Sequence, residues 1–426
     1  MFSWRTKWSI VRALLTKSSP YYVQFYINGV CNLKCKQCNI VETNSGIGEL
    51  SIPQMRMVAE NIRKIGGGIV LLTGGEPFLR RDVDQVAKAF LDEGLDVRLQ
   101  TAGIATLDQL QRCHDVGAKD INISLDSLES NKQDFINSVP GSWHKAIGAI
   151  SRVGQVFSQG SAICSLGCVL SRFNYKEIPA ILEFATEIGW DLSLVPVHIA
   201  DSAEEMGFRS YDRDFIFAKS DMEDLERLVE TLIDMKRQGY QLFDSERFLW
   251  SSVEFLRTGT PTWRHNGVCD SPNLYFAIRP NGDFSTCCDY TLDHPPSLLD
   301  PEFPRMYRDG TVKSAAKSTV ESCAGCHYGS YPEVTISVRD RKAFLERART
   351  SLSRRPAVKS LTEESLLALV GAIKDRYPEV YSTTWLPERA EQKLEMWKEP
   401  GQRRLLTIED NATRKEEGRI RRRSLR

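Results

Sequence analysis

The stretch Ile69-Val70-Leu71-Leu72-Thr73-Gly74-Gly75-Glu76-Pro77 sets the fold class. Its first five residues are apolar or β-branched without polar alternation, the pattern of a short strand buried on both faces of a parallel sheet. Parallel strands need crossover helices, and the flanking sequence supplies them. Upstream, Val23, Phe25 and Ile27 alternate with polar residues as a strand. A helix follows, capped by Ser51, with Pro53 in its first turn, a stripe of Val58, Ile62 and Ile65, and a stop at Gly66-Gly67-Gly68. Downstream, helices over Val83 to Leu91, up to Gly117, from about Trp143, and over Ile178 to Ile188 alternate with strands. Those strands are Val97 to Thr101, Ile121 to Leu125, Ile163 to Leu170 and Leu192 to Val197. Six such units predict an α/β chain folded as a partial (β/α)6 TIM-like barrel, with its site at the carboxyl ends of the strands.

The segment Cys31-Asn32-Leu33-Lys34-Cys35-Lys36-Gln37-Cys38 falls at one of those ends. Three thiolates so spaced can hold three corners of a [4Fe-4S] cube and leave the fourth iron open to a small molecule. The spacing is not the paired C-x-x-C of a zinc ribbon, and no histidine pair follows at finger spacing, although structural zinc and plain buried thiols remain alternatives. Taken alone, Gly74-Gly75-Glu76-Pro77 is an ordinary turn. Its glycines would let a ligand approach the backbone, and its carboxylate can accept hydrogen bonds from an ammonium group.

The C-x-x-x-C-x-x-C loop after a first strand, followed by Gly-Gly-Glu-Pro after the second, resembles the radical S-adenosylmethionine (SAM) superfamily. The resemblance implies that Cys31, Cys35 and Cys38 ligate a SAM-binding [4Fe-4S] cluster. It also implies that SAM is cleaved to a 5′-deoxyadenosyl radical that takes hydrogen from a substrate, with an electron donor such as a flavodoxin or ferredoxin. Gly74, Gly75, Glu76 and Pro77 would hold the SAM amino group; Ser124 and Asp126, read as sharing a strand face into the barrel, and Thr101 would contact its ribose and methionine. Asp126 with Ser127 also reads as a cap for the next segment. The family often has an aromatic residue before the third cysteine, where this chain has Gln37.

Cys269, Gly282, Cys287, Cys323 and Cys326 resemble the auxiliary-cluster region of the SPASM and twitch subfamilies, cut short after the C-x-x-C. One auxiliary [4Fe-4S] cluster on Cys269, Cys287, Cys323 and Cys326 is implied; a four-cysteine zinc site is the competing assignment. Cys288 reads as a spectator. Cys113, Cys164 and Cys168 read as core thiols, the last two also as hydrogen-atom donors if they face the site. His198 is the histidine placed to face a substrate.

Net charge is zero over 426 residues, which argues against bulk attraction to nucleic acid or anionic membrane and makes any basic patch a local one, and eleven cysteines without a cleavable leader fit the cytoplasm. The expected organisation is an N-terminal amphipathic helix (1–21), the barrel (22–200), a helical bridge (201–262), the cysteine-rich auxiliary domain (263–335), and a helical C-terminal extension with a basic tail (336–426). In the first of these, Trp4, Trp8, Val11 and Leu15 form a stripe between Arg5, Lys7, Arg12 and Lys17, expected to dock on the protein's own body, with peripheral membrane contact as the minor alternative. The truncated cysteine set resembles the twitch rather than the full SPASM type, and that resemblance implies a small metabolite of sugar or cyclitol type, undergoing oxidation, over a peptide substrate. A redox-neutral epimerase or eliminase, and a non-catalytic iron-sulfur or zinc scaffold, are the other readings.

Overall fold

The computed structural model describes residues 2–158, 162–198, 215, 217–288, 290, 292–328, 330–352 and 356–382. Six strands alternate with helices as the pattern requires: β1 (Tyr22–Tyr26), β2 (Ile69–Thr73), β3 (Asp96–Thr101), β4 (Asp120–Ser124), β5 (Ile163–Leu170) and β6 (Asp191–Pro196). They pair in parallel in sequence order, giving an open, partial barrel. Local chemistry fixes the crossovers. Ser51 and Gln54 form a capping box at the helix Ile52–Ile65, and Gly66 closes it at φ 92°, where a side chain would be strained.

Strand alternation gives the sheet two unlike faces. Val23, Phe25, Val70, Leu72, Val97, Leu99, Ile121, Ile123 and Leu166 face the helices and form the main core. The opposite, interior face carries Gln24, Arg98, Gln100, Asn122, Ser124, Ser165 and Ser193, matched by register. These polar groups satisfy one another: Arg98 Nη2 donates to Ser165 Oγ at 2.6 Å, which donates to Asn122 Oδ1 at 2.8 Å.

The cysteine-rich segment extends this sheet. Strand β7 (Tyr275–Ile278) pairs in parallel with β1, and β8 (Phe284–Ser285) runs antiparallel to β7. Pairing with β7 covers the edge that β1 would otherwise expose. The helix Ser330–Arg339 then fills one end of the interior, where Tyr331 Oη donates to Gln24 Oε1 and Tyr22 Oη to Ser330 Oγ, both at 2.9 Å. The boundary drawn at 335 falls inside this helix. In the bridge, the helix Met222–Arg237 buries Leu225, Leu228, Leu232 and Met235 as expected, while residues 201–214 and the basic tail lie outside the described residues.

The N-terminal helix Trp4–Thr16 docks with the opposite face from the one expected. Thr6, Ser9 and Ala13 are buried, with Thr6 Oγ1 donating to Gly68 O at 2.9 Å and Ser9 Oγ to Gly66 O at 2.6 Å. Small polar residues let the helix approach the glycine-rich backbone before β2, where the tryptophans have no room. The apolar stripe is left outside.

Candidate active site

The loop after β1 and the turn after β2 are built as one unit. Asn28, fully buried, donates from Nδ2 to Glu76 O at 2.7 Å and accepts from Gly75 N at 3.1 Å; Glu76 N donates to Val30 O at 2.7 Å. A Cβ on Gly75 would stand 2.0 Å from Val30 O, and one on Gly74 2.4 Å from Asn28 Oδ1. The glycines therefore admit the protein's own cysteine loop, a reason for them that their spacing alone does not give. Glu76 is likewise turned inward. Its carboxylate, fully buried, accepts from Phe78 N at 3.0 Å and Ala102 N at 2.6 Å, and burial pushes it up to about 7.

The cysteine loop is pinned from its far side by the helix Ser130–Asn137. Lys34 N donates to Asn137 O at 3.2 Å, Lys36 N to Ile136 O at 2.9 Å, and the Cys35 thiol to Asn137 Oδ1 at 3.3 Å. Burial pushes the Cys31 thiol up to about 11; Cys35 is raised well above its ordinary value by burial and then by Cys38 and Cys31 beside it. Cys31 and Cys35, both held back from ionisation by burial, with Cys38 beside them, fit a multivalent iron cluster, which would supply the missing positive charge. Both ends of the Asn32 side chain, inside the loop, are buried without a hydrogen-bond partner.

Gln37, the departure from the family pattern, has a polar partner in place of an aromatic contact: its Nε2 donates to Asp126 Oδ2 at 2.9 Å. The other Asp126 oxygen accepts from Val169 N at 2.7 Å, and Gln133 Oε1 accepts from the backbone N–H of both Asp126 and Ser127. β4 ends at Ser124, so strand alternation does not carry on to Asp126. Ser124 sits half-buried on the interior face, while the buried Asp126 side chain braces the cysteine loop against β5. Thr101 falls on the helix-facing side in register with Ile123, its hydroxyl accepting from Gly103 N at 3.1 Å. Pro77 opens a short 3-10 turn, Pro77–Leu79.

Cys164 and Cys168 alternate onto the helix-facing core with Leu166, which removes them as hydrogen donors toward the interior, and Cys113 is buried in the same core. His198 is also structural: its Nε2 accepts from His327 N at 2.8 Å, and its ring packs on Phe255 and Tyr328.

Cys269, Cys287, Cys323 and Cys326 line one cavity together with Trp263, Tyr275 and Tyr331; Cys288 lies outside it. Burial, and then Cys287 and Cys323, push the Cys269 thiol up to about 12, the same crowding of thiols as in the first loop. Among the described residues no three His, Cys, Asp or Glu side chains are gathered to hold a single metal ion. The Cys323–Cys326 loop is clasped by residues the sequence did not single out. Trp263 Nε1 donates to Cys326 O at 2.7 Å, and Arg264 donates to Cys323 O and Ala324 O at 3.0 Å. A buried cluster of Tyr26, Tyr275, Cys288, Tyr328 and Tyr331 has Cys38 packed on it, and also Cys269, Cys287 and Cys326. Both thiol sets thus border one aromatic cluster.

The sequence matches the model of the Radical SAM superfamily over residues 25–185. It is 27% identical over 202 residues to an AdoMet-dependent heme synthase of Methanosarcina barkeri, covering 46% of this chain and 57% of that protein. It is 31% identical over 172 residues to a probable GTP 3′,8-cyclase of Metallosphaera sedula, covering 40% and 53%. The chain thus spans little more than half the length of these relatives. In fold it is similar to Streptococcus suis SuiB bound to its precursor peptide SuiA, with a TM-score of 0.55 at 16% identity over 83% of this chain and 80% of that one. It is similar also to anSMEcpe with bound AdoMet and a peptide, with a TM-score of 0.52 at 14% identity over 84% and 97%. The three-cysteine loop locked onto the Gly-Gly-Glu-Pro turn lies within the segment that matches the Radical SAM superfamily.

Proposed function

We propose that this chain is a radical SAM enzyme of SPASM or twitch type that oxidises a small polar metabolite with the help of one auxiliary [4Fe-4S] cluster. The observation that carries this reading is the pair of thiol sets, three on one loop and four around one cavity, bordering the same tyrosine-rich cluster. Cys31, Cys35 and Cys38 would hold the first cluster, and Cys269, Cys287, Cys323 and Cys326 the second. When bound, the first cluster and SAM supply a 5′-deoxyadenosyl radical that takes hydrogen from the substrate.

The chain's own residues divide the remaining work. The backbone of Gly74 to Pro77 and the Ser124 side chain form the near side of the SAM site, while Glu76, Thr101 and Asp126 act from behind by fixing that backbone and the cysteine loop. A fully ligated second site has no open position for substrate, so its role is to accept an electron during a net two-electron oxidation. A flavodoxin- or ferredoxin-type donor would reduce the first site. Beyond the mutually bonded Arg98, Ser165 and Asn122, the interior face has Gln100 and Ser124 half-buried as polar groups, which suits a polar small molecule of sugar or cyclitol kind. A peptide substrate is the second reading, favoured by the fold likeness to SuiB and anSMEcpe, both solved with peptides.

Anaerobic reconstitution with iron and sulfide tests this. The intact chain should take up about eight irons, two four-iron cubes, and release 5′-deoxyadenosine from SAM under reduction. Replacing Cys31, Cys35 and Cys38 together by Ala should halve the iron and abolish 5′-deoxyadenosine. Unchanged SAM cleavage in that variant would sink the assignment.

A further inference from the structure

The helix Trp4–Thr16 has no part in the site, yet it is firmly placed. Ser3 caps it and donates its backbone N–H to Asp96 Oδ2 at 2.9 Å; Lys17 Nζ closes the other end on Val338 O at 2.7 Å. Between these anchors, Thr6 and Ser9 tie the inner face to the backbone before β2. The outer face consequently cannot roll inward. It presents Trp4 at 73% exposure, Trp8 at 63%, Val11 at 41% and Leu15 at 77%, a stripe one side of a helix wide.

The charges carried by the helix itself have one sign. Arg5, Lys7 and Arg12 are exposed on the same helix, Lys17 ends it, and no Asp or Glu occurs from residue 1 to 41. In a chain whose net charge is zero, this makes a local cationic field around an apolar ridge. Two exposed tryptophans flanked by lysine and arginine match the layered chemistry of a bilayer boundary, where the indole sits at the headgroup level and cations meet anionic phosphates. No helix among the described residues is long and apolar enough to cross a membrane, so the contact would be one of surface seating.

We propose that the helix Trp4–Thr16 seats this protein on an anionic phospholipid surface through Trp4, Trp8, Val11 and Leu15, with Lys7 on one flank and the exposed Arg5 and Arg12, whose arms run beside Gly94 and Gly66, on the other, supplying the attracting charge. The geometry also sets the orientation. The helix lies against Gly66, Gly68, Gly94 and Asp96, at the amino ends of β2 and β3, whereas the cysteine loop and the Gly-Gly-Glu-Pro turn follow the carboxyl ends of β1 and β2. A protein seated this way keeps its site on the aqueous side, so the helix serves to localise the enzyme rather than to load a substrate from the bilayer.

The test is co-sedimentation of the full chain with vesicles of phosphatidylcholine alone or mixed with phosphatidylglycerol. Binding to the mixed vesicles is expected, about tenfold or more above binding to phosphatidylcholine alone, and falling as salt is raised. The double variant Trp4→Ser, Trp8→Ser should lose it by about tenfold or more while retaining the circular dichroism of the parent, because both side chains are exposed. Equal sedimentation with the two vesicle types, or no loss in the double variant, overturns the proposal. So does a dimer in solution that the double variant converts to monomer without any vesicle binding, which would give the stripe to a second copy. Tryptophans already shielded from acrylamide in the free monomer, judged by difference from the double variant, would show instead that another part of the chain covers them.

Discussion

At the scale of single residues, the site is held by side chains that face away from it. Asn28, Glu76 and Asp126 are buried; the first two spend their polar atoms on backbone N–H groups or a carbonyl of a neighbouring loop, and Asp126 accepts from Val169 N and from the Gln37 side chain. Gly75 is the tightest point, since a methyl there meets a carbonyl oxygen that cannot swing aside. Gly75→Ala must push the turn off the cysteine loop, and overpacking of that kind costs about 1–3 kcal/mol, part of it in the geometry that SAM would read. SAM cleavage by the reconstituted variant should therefore fall by about tenfold or more, with the fold intact by circular dichroism. Gly48→Ala, where an added Cβ meets nothing within 4 Å, is the control and should cleave SAM as the parent does. Equal activity in both would mean that the two loops are not coupled. The sequence displayed Gly74 to Pro77 plainly, but which neighbour the glycines admit depends on a contact with Val30 that no spacing encodes.

Secondary-structure elements were legible where the signal was local. Continuous apolar runs, the Ser51 cap and the Gly66 stop located β2 and the helix before it, and the alternation of Val23, Phe25 and Ile27 located β1. Periodicity failed one residue pair past the end of β4, where Asp126 leaves the strand register, and on the N-terminal helix, where steric access outweighed hydrophobicity. The pairing of β7 with β1 was hidden because Tyr275–Ile278 is only four residues long and its partner lies far away in sequence. The clasp of Trp263 and Arg264 on the Cys323–Cys326 loop was hidden for the same reason. That element carries its own prediction. Replacing Cys323 and Cys326 by Ala should lower the iron of the reconstituted chain from about eight to about four while SAM cleavage persists. Substrate turnover, once a substrate is in hand, should uncouple, with 5′-deoxyadenosine formed and oxidised product lost. Full product formation without the second cluster would make it structural and return redox-neutral chemistry to the front.

For the molecule as a whole, the interior end opposite the site is closed by buried charges, and these tie the stability of the entire barrel to pH. Asp244, 2% exposed, accepts from Leu194 N at 2.7 Å and from Ser193 Oγ at 3.3 Å, so it joins the segment after the bridge helix to β6. Burial, and then the nearby Glu333 carboxylate, push it up to about 7, despite Arg347 and Lys236 close by. In the unfolded chain the same group titrates near about 4. Between these values the folded state holds a proton that the unfolded state has released, so this group's contribution is complete below about pH 4 and is lost as pH rises through 7. The loss is on the order of 4 kcal/mol, about three pH units at roughly 1.4 kcal/mol each. Asp244→Asn keeps both contacts, since its Oδ1 can accept from Leu194 N–H and its Nδ2 can donate to Ser193 Oγ, but it has no proton to lose. Thermal unfolding of the two proteins should therefore match near pH 4, separate progressively above it, and differ most by pH 8, where the variant melts higher by several degrees. Parallel melting curves across that range would show that Asp244 stays ionised in the fold and that Arg347 and Lys236 outweigh its burial.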